Sequence, residues 1–146
     1  MTTSRDAAIG ALVSLVASAY PWKSGPSRKL KLWSDVPPAA RPACFVFEGG
    51  LESYAWSEGA VAKRVIEPKL FIYLSAKGDT VGATLLDGVM DALDQAFALN
   101  GADLGLGRNT LSGTVYSGRI DGKILKDPGD LDGDALLVVP VRIVLP

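Results

Sequence analysis

Apolar residues recur at helical spacing in two stretches of the chain. In the first, Ile9, Leu12, Val13, Val16 and Tyr20 fall three and four apart and so share one helix face, with Ser14 and Ser18 elsewhere, until Pro21 stops the pattern. Just before it, Thr3-Ser4-Arg5-Asp6 places a hydroxyl three residues ahead of a carboxylate, which reads as a capping-box start. In the second, Val81, Leu85, Val89, Leu93 and Phe97 progress by four, and Leu86, Met90 and Ala96 widen the stripe. Asp79 or Thr80 is positioned to cap that helix, and Asn100-Gly101 offers the left-handed residue that closes it. Asp87, Asp91 and Asp94 lie mainly on other faces and read as a solvated acidic side, because a hard cation needs oxygens from more directions.

Elsewhere the period is two. Ala43-Cys44-Phe45-Val46-Phe47 reads as a short buried strand. Over residues 63–74, Ile66, Leu70, Ile72 and Leu74 share one face, and Glu67, Lys69, Phe71 and Tyr73 share the other. Pro68 removes a ladder donor within that run, which favours an edge position or a bulge. An edge strand with Phe71 and Tyr73 facing outward is a surface on which subunits add side by side. From Asn109 onward, a β-forming arm interrupted by glycines is followed by a dense β-branched run over residues 136–145, which predicts a long C-terminal antiparallel hairpin. Asp127-Pro128-Gly129-Asp130-Leu131-Asp132-Gly133-Asp134 lies between the arms and reads as a solvated turn.

Two segments show no sustained period. Residues 22–42 hold four prolines and the bases Lys23, Arg28, Lys29 and Lys31, and read as an extended connection with a short strand at 29–33. Residues 48–59 are bounded by glycines and carry Tyr54 and Trp56, the composition of a mobile loop. Either the two rings are exposed for partner binding, where aromatics give much contact area at little entropic cost, or they fold back on the sheet. The order α-β-β-α-β-β predicts a single α+β domain over residues 1–146, with two helices packed on one face of an antiparallel or mixed sheet of about four to five strands.

At 146 residues the chain is long enough to bury a core without disulfides or a structural metal. Hydrophobic residues make up 48% before the 16 glycines are counted, an apolar excess that suggests self-association. A net charge of −1 argues against a broad electrostatic footprint for nucleic acid. Cys44, the one cysteine, sits in the apolar 43–47 run and reads as an inert buried thiol in a reducing compartment. Arg5, the apolar run to Val16 and Ala17-Ser18-Ala19 imitate a secretory signal, but Asp6 cancels its one positive charge and Gly10 and Ser14 interrupt the run. No run of ~20 apolar residues predicts a membrane span.

The usual catalytic constellations are missing. The chain has no histidine, and it lacks Ser-x-x-Lys and Gly-x-Ser-x-Gly, so no nucleophile and base are expected to meet and no enzyme is predicted. Gly105-x-Gly107 leaves a helix and leads toward a strand, the reverse of a phosphate-binding loop, and Thr110 stands where the third glycine would be. Asp130, Asp132 and Asp134 have the spacing of a calcium loop's first ligands, but Ala135 replaces the required glycine and Val141 the bidentate glutamate. Neither a metal nor a cofactor is expected.

The polar segment after the second helix, the Gly-interrupted strand, the acidic Pro-Gly turn and the closing Val-Val-Pro-Val-Arg-Ile strand resemble the C-terminal half of the tail terminator (tail completion) proteins of long-tailed bacteriophages. The upstream order of elements is similar too, so the resemblance covers nearly the whole chain. It implies a structural virion protein that forms a hexameric ring on the last ring of the tail tube. That ring stops tube polymerisation and presents the surface to which the DNA-filled head attaches. The implied partners are further copies of the chain, the major tail tube protein and a head completion or connector protein, with no specific nucleic acid and no membrane. The implied location is the neck end of the virion tail, and the host cytoplasm during assembly. By this analogy the subunit contacts fall on Phe71 and Tyr73 of the 63–74 strand and on Asp130, Asp132 and Asp134 of the turn, while the loop around Tyr54 and Trp56 reaches the tube or the connector. Two alternatives remain open: another neck or head-completion protein of the virion, or a small exported ligand-binding domain using the space between helices and sheet as its pocket.

Overall fold

The computed structural model describes residues 3–145. Its longest strand, β8 (Asp134–Leu145), runs through the middle of the molecule, and the rest is arranged along its two edges. Burial along β8 alternates without a break: Ala135, Leu137, Val139, Val141, Ile143 and Leu145 are buried, and the residues between them are half-buried. That is the two-residue period of a strand with one face in the core.

One edge of β8 pairs antiparallel with β5 (Lys69–Ser75), from Ser75↔Asp134 to Lys69↔Pro140, and then with β4 (Lys63–Ile66), from Ile66↔Ile143 to Arg64↔Leu145. The other edge pairs with β7 (Leu125–Asp127) and then β6 (Ser117–Ile120). Both handovers occur level with Pro140, which has no amide hydrogen to give. The neighbouring groups adjust, with Val141 N donating to Pro68 O at 2.9 Å and Asp121 N donating to Pro140 O at 3.1 Å. The sheet therefore divides there into two half-sheets that share β8. Outward from β5 lie β2 (Ala43–Phe47) and the parallel edge strand β1 (Ser24–Ser27), and outward from β4 lies β3 (Glu52–Ala55).

Two long helices, α1 (Arg5–Ala19) and α2 (Gly82–Ala96), cover the inner face of the sheet, and α3 (Ala102–Leu106) is a short helix beyond α2. Ser4 caps α1, its Oγ accepting from Ala7 N at 3.0 Å, so the cap falls one residue later than the Thr3-to-Asp6 reading. Ala8, Ile9, Leu12 and Val16 of α1 meet Leu86, Val89, Met90 and Leu93 of α2 and the inward residues of β2, β5 and β8. The stretch that imitates a secretory signal thus supplies one wall of the core. The α2 start has no side-chain cap, so neither Asp79 nor Thr80 serves that role.

The described chain is mostly β, with eight strands in one mixed sheet and three α-helices, and this corrects the expected two helices over four to five strands in the order α-β-β-α-β-β. Short strands cause the discrepancy. The 63–74 run is split at Glu67-Pro68 into β4 and β5, and the first hairpin arm is split at 121–124 into β6 and β7 with a slip of register. The strands β1 and β3 are only four residues long and lie in segments of turn-like composition. The connector at 28–42 is also more than an extended link. It winds through 3-10 turns at Trp33–Asp35 and Pro38–Ala40 and covers the outer face of the sheet, where Val36, Ala43, Phe45 and Tyr73 form a second, smaller core.

Candidate functional site: an edge hairpin and an acidic turn

The strand β3 ends one half-sheet. It pairs with β4 from Glu52↔Ile66 to Ala55↔Lys63, its other edge has no partner among the described residues, and all four of its residues are exposed. Residues 48–59 are therefore half of a hairpin instead of the loop their composition suggests. Tyr54 (57% exposed) and Trp56 (77%) stack on one another with centroids 6.4 Å apart and an interplanar angle of 22°. Both rings are exposed and do not fold back on the sheet. Leu51 and Val61 are exposed on the same hairpin.

Ionic contacts fix the hairpin's root. Arg5 of α1 grips Glu52 through Nε–Oε1 and Nη2–Oε2, both 2.7 Å, and its Nη2 reaches the Tyr54 hydroxyl at 3.3 Å. Those hydrogen bonds hold the Glu52 carboxyl below the usual carboxylate range and push the Arg5 guanidinium further up. Arg64 Nη2 also donates to Thr3 O at 2.6 Å. The edge is thus tied at its root to α1, and its outer side has no paired strand among the described residues.

Phe71 and Tyr73 are placed differently from the sequence expectation. The strand β5 is internal, between β2 and β8, so no edge exists there. Tyr73 is only 4% exposed under the connector and its hydroxyl donates to Lys31 O at 2.6 Å, while Phe71 is half-buried against Phe47, edge to face at 5.9 Å. Burial raises the Tyr73 pKa, against a smaller lowering by the Arg41 charge. Both rings do share the face opposite Leu70, Ile72 and Leu74, as the alternation predicts, but the connector covers that face.

The acidic turn separates its aspartates. Asp130 and Asp132 are exposed, and Leu131 between them is fully exposed at the tip. Asp134 is instead the first residue of β8, and its Oδ1 lies 2.6 Å from Nη1 of buried Arg41. The turn is braced from within: Gly133 N donates to Gly129 O at 2.8 Å, Ala76 N donates to Gly133 O at 2.8 Å, and Asp127 Oδ1 accepts from Gly129 N at 3.0 Å. Gly129 and Gly133 are left-handed, with φ of 70° and 79°. Among the described residues, no group of three or more Cys, Asp or Glu side chains is arranged to hold a metal ion.

A cleft of about 410 Å³ opens between the C-terminal parts of α1 and α2, with Ser14, Ser18, Asn100, Ser112 and Thr114 among its lining residues. One wall is a left-handed turn, Leu111, Ser112 and Gly113 at φ 47°, 59° and 79°. Asp103 holds that turn by accepting from Thr110 N at 3.1 Å and Thr110 Oγ1 at 2.7 Å. Asp103 belongs to α3, so the Gly105-x-Gly107 segment forms a short helix where a path into a strand is expected. The space between helices and sheet is filled by side chains of the main core. Cys44 is fully buried within it, and burial pushes its thiol up to about 12.

No protein-family model matches the chain, and no curated protein is significantly similar to it in sequence.

Proposed function

We propose that this chain is an assembly subunit of the tail-terminator kind, which closes as a ring on the end of a phage tail tube, stops further growth and offers the surface for head joining. The observation that carries the reading is the open edge of β3, a fully exposed strand on a braced hairpin that displays stacked Tyr54 and Trp56. A strand edge beside exposed aromatics is a ready means of adding one protein to another, and it acts by shape and adhesion without bond chemistry. The subunit's work is then to occupy the last tube ring and to present a different face outward, so that growth ends by geometry. Its partners are other copies of itself, the tube protein and a head completion protein.

The test adds the purified chain to growing tubes of the cognate tail tube protein and follows their length by negative-stain electron microscopy. The expected result is short tubes bearing a cap at one end, and uncapped tubes when Trp56→Glu is used. Tubes that elongate alike with and without the parent chain contradict the reading.

A further inference from the structure

The pairing of β6 with β8 sets Arg119 directly opposite Arg142 on the outer face of the sheet. Like charges opposed across a ladder cost stability, and this pair is only partly relieved. Arg119 takes Asp121, with Nη2 and Nε at 3.0 and 3.1 Å from Oδ2, whereas half-buried Arg142 has no carboxylate partner among the described residues. At the same end of β8, Lys63 Nζ and Arg108 Cζ lie 4.2 and 4.1 Å from the centroid of the Tyr116 ring, and neither has a carboxylate partner there. Arg119 opposite Arg142, and Lys63 and Arg108 on the Tyr116 ring, thus lie toward the same end of β8, with Arg108 and Arg119 lining one cleft, in a chain whose net charge is −1.

The opposite end of β8 carries the opposite sign. The braced turn before Asp134 holds out Asp130, Leu131 and Asp132, and Asp127 is exposed at its base. The eight-residue step from Asp134 to Arg142 spans about 26 Å at strand rise, so the two patches cannot meet within one molecule.

We propose that the acidic tip of one copy docks on the basic strip of the next, with Leu131 and the Tyr116 ring as the apolar groups at the contact and the charges as its rim. Because the two patches are different and lie at opposite ends of the subunit, the contact is heterologous and adds copies head to tail, as a closing ring requires. Opposed potentials of this kind steer encounter and fix register. The inference rests on the ring reading and names the subunit contact, a role separate from that of the β3 edge.

Charge exchange between two variants tests it. One carries Asp130→Lys and Asp132→Lys, the other Arg119→Glu and Arg142→Glu. Sedimentation velocity at low ionic strength is expected to show the parent associating, each variant alone at least tenfold weaker, and an equimolar mixture restored, because the altered turn of one then meets the altered strip of the other. The milder Asp130→Asn/Asp132→Asn and Arg142→Gln variants, with unchanged melting, are expected to weaken association in the same direction and so separate the contact from any folding defect. If the parent oligomer survives in both charge variants, the contact is wrong although the ring reading stands. A parent that stays monomeric at millimolar concentration and low salt also overturns it, as does a monomer that binds short duplex DNA through Arg119 and Arg142. Capping of tube ends is measured independently of all these outcomes.

Discussion

Arg41 Nη1 lies 2.6 Å from Asp134 Oδ1, and this ion pair, with the arginine side chain 3% exposed, ties the proline-rich connector to the first residue of the central strand. The same guanidinium donates to Val36 O and Trp33 O of the connector and to Leu74 O of β5, so it bonds the connector to the strand beneath it. Removing one partner of a buried pair strands the other's charge, whereas removing both spares that cost. Arg41→Met is expected to lower stability by about 3 kcal/mol in urea unfolding. Asp134→Leu is expected to destabilise as well, because it strands the buried Arg41 charge. The double variant is expected to be more stable than the sum of the singles implies, and strict additivity in that cycle would show that the pair is not coupled.

Cys44 gives a second prediction. Its thiol is raised to about 12 because burial penalises the thiolate, while the unfolded chain holds it near the ordinary value of about 8.5. The neutral thiol's contribution to stability is therefore whole below about 8.5 and declines as pH rises toward 12. In native protein at pH 8, an aromatic disulfide reagent is expected to label Cys44 only as fast as the protein unfolds. Labelling at the rate of a free thiol would mean that the 43–47 strand is not sealed in the core.

Much of the core is legible in the sequence because its periods are long and unbroken. Ile9, Leu12 and Val16 on α1, Val89 and Leu93 on α2, and Ile66, Leu70, Ile72 and Leu74 along 63–74 are all buried as their spacing requires. What the sequence conceals is pairing. Nothing in the 63–74 pattern distinguishes an edge strand from an internal one, since both alternate, and Tyr73 reads as outward until the connector is seen to lie over it. The strand Glu52–Ala55 is too short to show a period and its flanking glycines suggest a loop, so its exposed rings are found by composition and its edge is not. Arg119 and Arg142 are 23 positions apart in the numbering of the chain, and only the register of β6 on β8 makes them neighbours. Asp134 looks like Asp130 and Asp132 in sequence, yet the start of β8 sets it under the connector against Arg41.

The Arg5–Glu52 clamp predicts a pH-dependent hairpin. The folded pKa of Glu52 is depressed by its hydrogen bonds to Arg5, so the clamp's contribution is present above the unfolded value of about 4.3 and is lost as pH falls through the lower folded value. Amide exchange in Glu52–Ala55, corrected for the intrinsic rate, is expected to speed up below that range in the parent. In Glu52→Gln it is expected to be fast and independent of pH over the same interval. A parent whose corrected exchange stays flat down to pH 3 would show that the clamp does not hold β3.

Two glycines of α2 are expected to respond in opposite directions to the same substitution. A Cβ at Gly82 would come within 1.7 Å of Pro128 O, a backbone atom at the base of the acidic turn, so Gly82→Ala must push the turn away from the helix. Overpacking of this kind costs about 1–3 kcal/mol. It should also weaken the hydrogen bond from Ala76 N to Gly133 O, which stitches the turn to the end of β5. At Gly88 a Cβ meets nothing within 4 Å, and alanine there removes backbone freedom from the unfolded helix, for a gain of about 0.5–1 kcal/mol. Urea unfolding of the two variants checks the signs, and amide exchange at Ala76 checks the cause: accelerated in Gly82→Ala, unchanged in Gly88→Ala. A Gly82→Ala protein as stable as the parent, with Ala76 still protected, would mean that the turn is free of the helix and that Asp130, Leu131 and Asp132 are not held out by it.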